Sequence, residues 1–519
     1  MTRRDVLVVL PTGAGKSAIY QVPAVLLPGP TVVVSPLIAL QRDQVAGLAE
    51  ADVPTAVAVN SAQSAAENER AWSAVLDGTA EYVFVAPEQL AKPDVVDALR
   101  KARPSLFVVD EAHCVSAWGH DFRPDYLRLR PVIERIGHPT VIALTATAAP
   151  PTRAEIAESL GLRDHAEILA GFDRPNLHLA VARFQSDAEK RRAVVERTAA
   201  LAGPGLVYVA TRKDAERYAG ELAGRGLRAA PYHAGLRAAE RKDTQHRFMA
   251  GELDVVVATS AFGMGIDKAD VRFVLHASAP ASVDAYYQEI GRAGRDGEPA
   301  QVLLCYRPED LALQRFLTTV KADRDDLRRL ARTVRDHRGP ISAAELRRLD
   351  LPAARRTRAI NLLEKTGAVT ATAPGRFAYA DRSVLPRTAA ARAIRLAEAH
   401  QRLISSQVEM MRGYAETAGC RRQFLLGYFG EQWTGGPCGN CDTCELNRPA
   451  AAVDTAGNGR PADAADAPFP LNSRVRHTEW GPGVVMSTER DRMTVLFEQV
   501  GYKTLSQALV VENDLLTAD

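Results

Sequence analysis

Eight consecutive residues near the start of the 519-residue chain, Leu10-Pro11-Thr12-Gly13-Ala14-Gly15-Lys16-Ser17, carry its most specific chemistry. They follow an apolar run at residues 6–10 and open a stretch with helical spacing. In that setting Thr12, Gly13, Ala14 and Gly15 are small enough to let backbone N–H groups close on a polyphosphate. Lys16 reaches its β- and γ-oxygens, and the Ser17 hydroxyl ligates magnesium. A plain turn rarely needs all of these together. Asp110 and Glu111 end a second apolar run, residues 106–109, where Asp110 can hold the magnesium and Glu111 can orient an attacking water. The chemistry so described is hydrolysis of a nucleoside triphosphate, with Mg2+ as its metal.

Two further clusters bear on chemistry. Gln288-Glu289-Ile290-Gly291-Arg292-Ala293-Gly294-Arg295 places two arginines three apart, on one face if the segment is helical. Either can cross a cleft to a γ-phosphate, where an arginine stabilises transition-state charge; Arg295 is the first choice, with Arg292 beside it. Cys438, Cys441 and Cys444, with Cys420 expected on a preceding helix, offer four soft ligands suited to tetrahedral Zn2+. An iron–sulfur cluster is the rival, against which stands the missing second half of the bacterial ferredoxin run. Cys114 and Cys305 read as buried small side chains.

The elements that must position these groups alternate short β-branched runs with helical stretches from residue 5 to about 310, the rhythm of parallel α/β sheets. The turn-rich segment 171–176 divides them into two α/β domains in tandem. Residues 339–380 then read as helix, turn, helix and a hairpin around Pro374-Gly375, a winged-helix pattern. Its second helix starts near Pro352, exposes Arg355, Arg356 and Arg358, and buries Ile360, Leu362 and Leu363. A module used only for packing is the alternative. Residues 447–468 are rich in Ala, Pro, Gly and Asp and read as a disordered linker. Residues 473–516 alternate apolar and polar positions around Trp480-Gly481-Pro482-Gly483, which suggests a small β-barrel.

Composition bounds the setting. The net charge of +2 conceals a basic segment: residues 321–400 hold 18 Lys and Arg against 9 Asp and Glu, a footprint suited to nucleic acid. The apolar runs fall far short of the roughly 20 residues that cross a bilayer, so no membrane span is expected. The phosphate loop follows the first residues directly, leaving no room for a secretory leader. Clustered cysteines point to a reducing, cytoplasmic compartment.

The segment Ala112-His113-Cys114-Val115-Ser116-Ala117-Trp118-Gly119-His120-Asp121-Phe122-Arg123 resembles the aromatic-rich loop of RecQ helicases, and Asp110-Glu111-Ala112-His113 resembles the matching box of superfamily 2 helicases. The resemblance extends through Thr145-Ala146-Thr147, residues 232–235 and 261–267, the arginine segment and the cysteines. It implies two RecA-like domains (1–170 and 171–318) and a helical zinc-binding module (387–446), while the residue patterns above add a winged-helix-like module (319–386), the linker (447–468) and a Tudor- or SH3-like barrel (469–519). It also implies 3′-to-5′ unwinding of DNA driven by ATP, in repair or recombination. Under it His113 and Gln288 join the nucleotide site. Trp118 and Phe122 can stack on unpaired bases with His120 and Arg123 beside them, while Ser35, Thr211, Arg212 and Thr259 fall where the family touches the sugar-phosphate backbone.

The chain departs from that pattern in two places. Family members carry an adenine-gripping segment just before the first strand; here the chain begins at that strand, and the expectation is that the recorded start omits residues, the alternative being weak base recognition with poor nucleotide selectivity. The winged-helix-like segment precedes the cysteines instead of following them, and is expected to bind duplex or forked DNA through its arginines. The tail resembles that of UvrD-type helicases, which implies RNA polymerase or a repair protein as its partner; a barrel that only stabilises the chain is the alternative. The rival functions are a DNA-stimulated translocase that separates no strands, an RNA motor, and a non-catalytic adaptor. Intact Lys16, Asp110, Glu111 and Arg295 argue against the last.

Overall fold

The computed structural model describes residues 4–518 apart from 12, 14, 51–54, 117–122, 264–267, 319–321, 374, 432, 434, 448–468, 471–472, 489–491 and 498–499. The linker expected at 447–468 lies almost wholly outside the described residues, as does Pro374 of the hairpin.

Helices separate most of the early strands, and a helical crossover returns the chain to the same end of the sheet, so neighbouring strands run parallel. The first sheet contains β1 (Val6–Val9), β2 (Thr31–Val34), β3 (Ala56–Val59), β4 (Tyr82–Val85), β5 (Leu106–Val109), β6 (Thr140–Thr145) and β7 (Ala166–Leu169) in the order β3-β4-β2-β5-β6-β1-β7. All pairs are parallel. Strands β2, β4 and β5 are buried along their whole length, which is why they read as unbroken apolar runs. This order sets the ends of β1, β2, β5 and β6 along one edge, the usual place for a ligand crevice in such sheets.

The second sheet contains β8 (Leu177–Arg183), β9 (Gly205–Tyr208), β10 (Ala229–Tyr232), β11 (Val255–Ala258), β12 (Phe273–His276) and β13 (Ala300–Tyr306), ordered β10-β11-β9-β12-β13-β8 and again parallel.

A smaller unit follows. The helices Arg324–Asp336, Ala343–Leu346 and Ala353–Lys365 surround a core that includes Leu327, Leu330, Leu346 and Leu363. A three-stranded antiparallel sheet, β14 (Ile341–Ser342), β16 (Arg376–Tyr379) and β15 (Val369–Ala373), lies beside it in the order β14-β16-β15. Pro352 stands just outside its helix as the capping residue, one place earlier than the first-turn position it favours. Ile360, Leu362 and Leu363 are buried as expected. The 31-residue helix Pro386–Glu416 leads on to the cysteines.

The tail is a five-stranded antiparallel sheet of β17 (Arg474–His477), β18 (Gly481–Thr488), β19 (Arg492–Phe497), β20 (Gly501–Ser506) and β21 (Leu516–Ala518), ordered β20-β19-β18-β17-β21. It includes a helix, Gln507–Glu512, that the alternating pattern did not suggest. The tail packs onto the body. Gly501 has φ +75 and a Cβ there would overlap Ser406 of the long helix, while Tyr502 stacks on Tyr428 at 5.6 Å. Among the described residues no helix is long and apolar enough to cross a membrane.

Candidate functional site

The loop after β1 runs into the helix Ala18–Leu26. Gly13 and Gly15 have φ +86 and +75, left-handed conformations that side chains disfavour and that turn successive N–H groups towards one concavity. Thr12 and Ala14 lie outside the described residues. Ser17 caps the helix but makes no capping bond. Its hydroxyl instead accepts from Gln44 Nε2 at 3.0 Å, and Gln44 Oε1 accepts from the Tyr20 hydroxyl at 2.9 Å. Gln44 and Tyr20 escaped the sequence reading because their link to the loop spans some 25 residues of chain.

Asp110 and Glu111 leave the end of β5 facing this loop. Burial and then the neighbouring Glu111 charge push the Asp110 carboxyl up to about 7, opposed by the Lys16 ammonium, the Glu111 N–H and the Ser35 hydroxyl. The Glu111 N–H donates to Asp110 Oδ1 at 3.0 Å. Glu111 has φ +49, a strained setting for a non-glycine residue and one that recurs at active sites. His113 Nδ1 stands 3.4 Å from Glu111 Oε2 and 3.0 Å from Thr145 Oγ1, which in turn donates to the Thr147 carbonyl. The acidic pair is thereby tied to the end of β6.

The second domain approaches the loop from outside. The helix Val283–Ile290 ends at Gly291, so Arg292 and Arg295 lie in turns beyond it and do not share a helical face. That corrects the expected geometry, and with the periodicity gone the two side chains diverge. A Cβ on Gly13 would lie 3.2 Å from Cδ of Arg295, so Arg295 meets the loop. Arg292 is buried, with Nη2 3.6 Å from where a Cβ on Gly263 would sit. Gln288 is half-buried on the helix.

The residues expected to touch nucleic acid divide into several groups. Trp118, His120 and Phe122 lie outside the described residues. Arg123 is half-buried and donates from Nη1 to the Pro36 carbonyl at 2.8 Å. Ser35 is corrected: it is 1% exposed, because the end of β2 is enclosed by its neighbours β4 and β5. Thr211 caps the helix Arg212–Ala223 by accepting from the Asp214 N–H at 3.1 Å. Arg212 is exposed, half-buried Thr259 follows β11, and the parallel order brings both to one edge of the second sheet.

The three arginines of the smaller unit are not equivalent, which corrects their reading as a uniformly exposed set. Arg355 is exposed but ion-paired with Asp323 at 2.8 Å and Asp326 at 2.6 Å. Arg356 is half-buried and donates to the Leu351 carbonyl at 3.2 Å. Arg358 is exposed.

The four clustered cysteines converge, their sulfurs all within 4.8 Å of one another and those of Cys438 and Cys444 3.9 Å apart. Zinc with Zn–S bonds of about 2.3 Å sets its sulfurs about 3.8 Å apart, so the group fits. Cys420 caps the helix Arg421–Tyr428 instead of lying on a helix. Burial pushes the Cys438 thiol up to about 12; burial opposes ionisation of Cys441 too, but bonds from the Thr443 hydroxyl and the Cys444 and Arg421 N–H groups bring it down to about 6. The cluster is fastened to the second domain by contacts the sequence reading did not name: Arg422 pairs with Asp173 at 2.5 Å, and Asp442, itself paired with Arg421, accepts from the Val181 N–H at 2.8 Å. Cys114 and Cys305 are buried, as expected.

Comparison with known proteins places these parts. Residues 1–156 match the DEAD/DEAH box helicase family, 189–297 the helicase conserved C-terminal domain and 379–445 the RecQ zinc-binding family. The probable ATP-dependent DNA helicase RecS of Bacillus subtilis (strain 168) is 43% identical over 317 residues, 60% of this chain and 63% of its own length. The ATP-dependent DNA helicase RecQ of the same organism is 41% identical over 316 residues, 61% of this chain and 53% of its own length. The match therefore spans between half and two thirds of these relatives. The DUF1998 helicase MrfA, solved bound to DNA, is 17% identical with a TM-score of 0.50, covering 74% of this chain and 56% of that one. That likeness concerns the fold alone. The two parallel α/β domains are thus RecA-like helicase domains, followed by a zinc-binding region.

Proposed function

This chain belongs to the RecQ family of superfamily 2 helicases, and from that premise we propose that it is an ATP-dependent DNA helicase moving 3′ to 5′ along single-stranded DNA and separating the duplex ahead. One observation carries the reading: Arg295 of the second domain lies against Gly13 in the phosphate loop of the first. A nucleotide between them is held from both sides, so hydrolysis can drive the domains together and apart.

Within that cleft Lys16 neutralises the phosphates and Glu111, oriented by His113, holds the attacking water. Arg295 meets the charge that develops at the γ-phosphate. Ser17 and Asp110 would hold Mg2+, which supplies charge neutralisation at the β- and γ-oxygens. Thr12, Ala14 and Gln288 complete the nucleotide's surroundings. Single-stranded DNA crosses the ends of both sheets at Thr211, Arg212, Thr259 and Arg123, where contacts to sugar and phosphate make stepping independent of sequence. Trp118 and Phe122 contribute stacking and His120 a polar contact.

The remaining parts take supporting roles. The unit at 319–386 is read as a winged helix whose Arg358 meets duplex DNA at the fork. The cysteine-bearing region at 387–446 folds around Zn2+. The sheet at 469–519 is read as a Tudor-like barrel that docks RNA polymerase or a repair protein. The free thiols of this cluster suit a cytoplasmic setting.

The test measures ATP hydrolysis with and without single-stranded DNA, beside Lys16→Ala, while strand separation of a 3′-tailed duplex is followed. DNA-dependent hydrolysis with unwinding, both lost in the variant, is the expected result. Hydrolysis without unwinding leaves a translocase, and no DNA-dependent hydrolysis removes the reading.

A further inference from the structure

Arg292 differs from Arg295 in how it is held. It is buried, and among the described residues its Nε meets no hydrogen-bond partner. Beside it lies the turn at residues 262–263. Tyr208, at the end of β9, donates to the Phe262 carbonyl at 2.8 Å, and Arg292 Nη2 comes to the adjoining Gly263. The Arg292 guanidinium thus comes to the same turn that the Tyr208 hydroxyl holds.

Behind Tyr208 runs a chain of buried groups. Its ring stacks on His276 with centroids 5.4 Å apart. His276 Nε2 lies 2.8 Å from Glu289 Oε2, and among the described residues its buried Nδ1 has no partner, so Nε2 is the atom that bonds Glu289. Glu289 is three residues before Arg292, so the pair braces the segment that carries the arginine. On its other side His276 packs against Tyr286 at 4.9 Å, and the Tyr286 hydroxyl meets that of Tyr414 at 3.0 Å. Arg421 donates to the Tyr414 carbonyl at 2.9 Å and pairs with Asp442, the residue next to Cys441. The cysteine cluster and Arg292 are thus joined by one unbroken series of contacts through the interior.

We propose that Tyr208 is the positioning residue for Arg292, and that the Tyr286–Tyr414 pair ties this position to the zinc-binding region through Arg421 and Asp442. The inference rests on the ATPase reading and assigns the region around the cysteines a part in setting the catalytic geometry. A series of packed, hydrogen-bonded groups can carry such coupling, but contiguity alone does not prove it. The experiment must therefore measure coupling.

Four single variants, Tyr208→Phe, Tyr286→Phe, Asp442→Asn and Arg292→Lys, and the first three each combined with Arg292→Lys, are assayed for DNA-stimulated kcat and for KM for ATP. Zinc content and the hydrogen exchange of residues 289–295 are measured on the same proteins. Loss of one buried hydrogen bond is expected to lower kcat about three- to tenfold with KM unchanged. In the Arg292→Lys background the further loss is expected to vanish, because the device then has nothing to position. Asp442→Asn is expected to keep its zinc yet speed exchange at 289–295. Effects that simply multiply with Arg292→Lys, or unchanged exchange in Asp442→Asn with zinc retained, overturn the inference. An unmodified protein without DNA-dependent hydrolysis would instead overturn the ATPase reading, while exchange in Asp442→Asn would still report on the link.

Discussion

Arg295 covers Gly13: a Cβ built on the glycine would sit 3.2 Å from the arginine's Cδ and 3.5 Å from its Nε. The loop of one domain and the cation of the other thus already share a surface, although 282 positions separate them in the chain. Arg295→Ala is expected to lower the DNA-stimulated kcat roughly a thousandfold, the scale of an arginine that acts on the transition state, with a much smaller change in KM for ATP. Steady-state kinetics would show it. Equal losses in kcat for Arg292→Ala and Arg295→Ala would mean that the divergence of the two side chains has no consequence.

Gly13→Ala faces two obstacles. The left-handed φ costs a non-glycine residue roughly 1–2 kcal/mol, and the new methyl presses on Arg295. Hydrolysis is expected to fall at least tenfold while the thermal midpoint moves by only a few degrees. Calorimetry beside the ATPase assay separates the two effects.

Glu111→Gln keeps the shape of the side chain and removes the charge that orients water. Its kcat is expected to drop on the order of a hundredfold with nucleotide affinity retained. Binding of a fluorescent ATP analogue, measured alongside turnover, would distinguish this from a binding defect.

Zinc retention should depend on pH in one direction. The Cys441 thiol, opposed by burial but held below the usual thiol range by its hydrogen bonds, ionises more readily than a free cysteine. Thiolates are the ligands, so protons compete with the metal. Dialysis at about pH 8 is expected to leave one zinc per chain, and dialysis at about pH 5 to release it with loosening of the Arg421–Tyr428 helix. Metal analysis and circular dichroism report the two changes.

Among the basic residues of the helix Ala353–Lys365, charge reversal should discriminate. Arg355→Glu breaks two ion pairs, with Asp323 and Asp326, and is expected to act mainly on stability. Arg358→Glu, at an exposed position, is expected to weaken duplex affinity and reduce its salt dependence by about one unit of slope. Titrations at two salt concentrations test both.

Much of this was open to reading along the chain, for a physical reason. A phosphate loop, an acidic pair at a strand end and three closely spaced cysteines are local arrangements, so their chemistry is written in adjacent residues. The parallel rhythm of the strands was equally local, since full burial shows as unbroken apolar runs such as Leu106–Val109. Relations between distant segments were not legible in this way. That Ser35 is enclosed at the end of β2, that Gln44 holds Ser17, that Arg355 is spent on Asp323 and Asp326, and that Gly501 fits against Ser406 depend on strand order and helix packing, which bring together groups with no common pattern in the chain. The two arginines near residue 293 mark the boundary. Their identity and spacing announced a phosphate contact, but the helix ends at Gly291, and past that point only tertiary packing decides that Arg295 meets the loop while Arg292 turns inward beside Gly263.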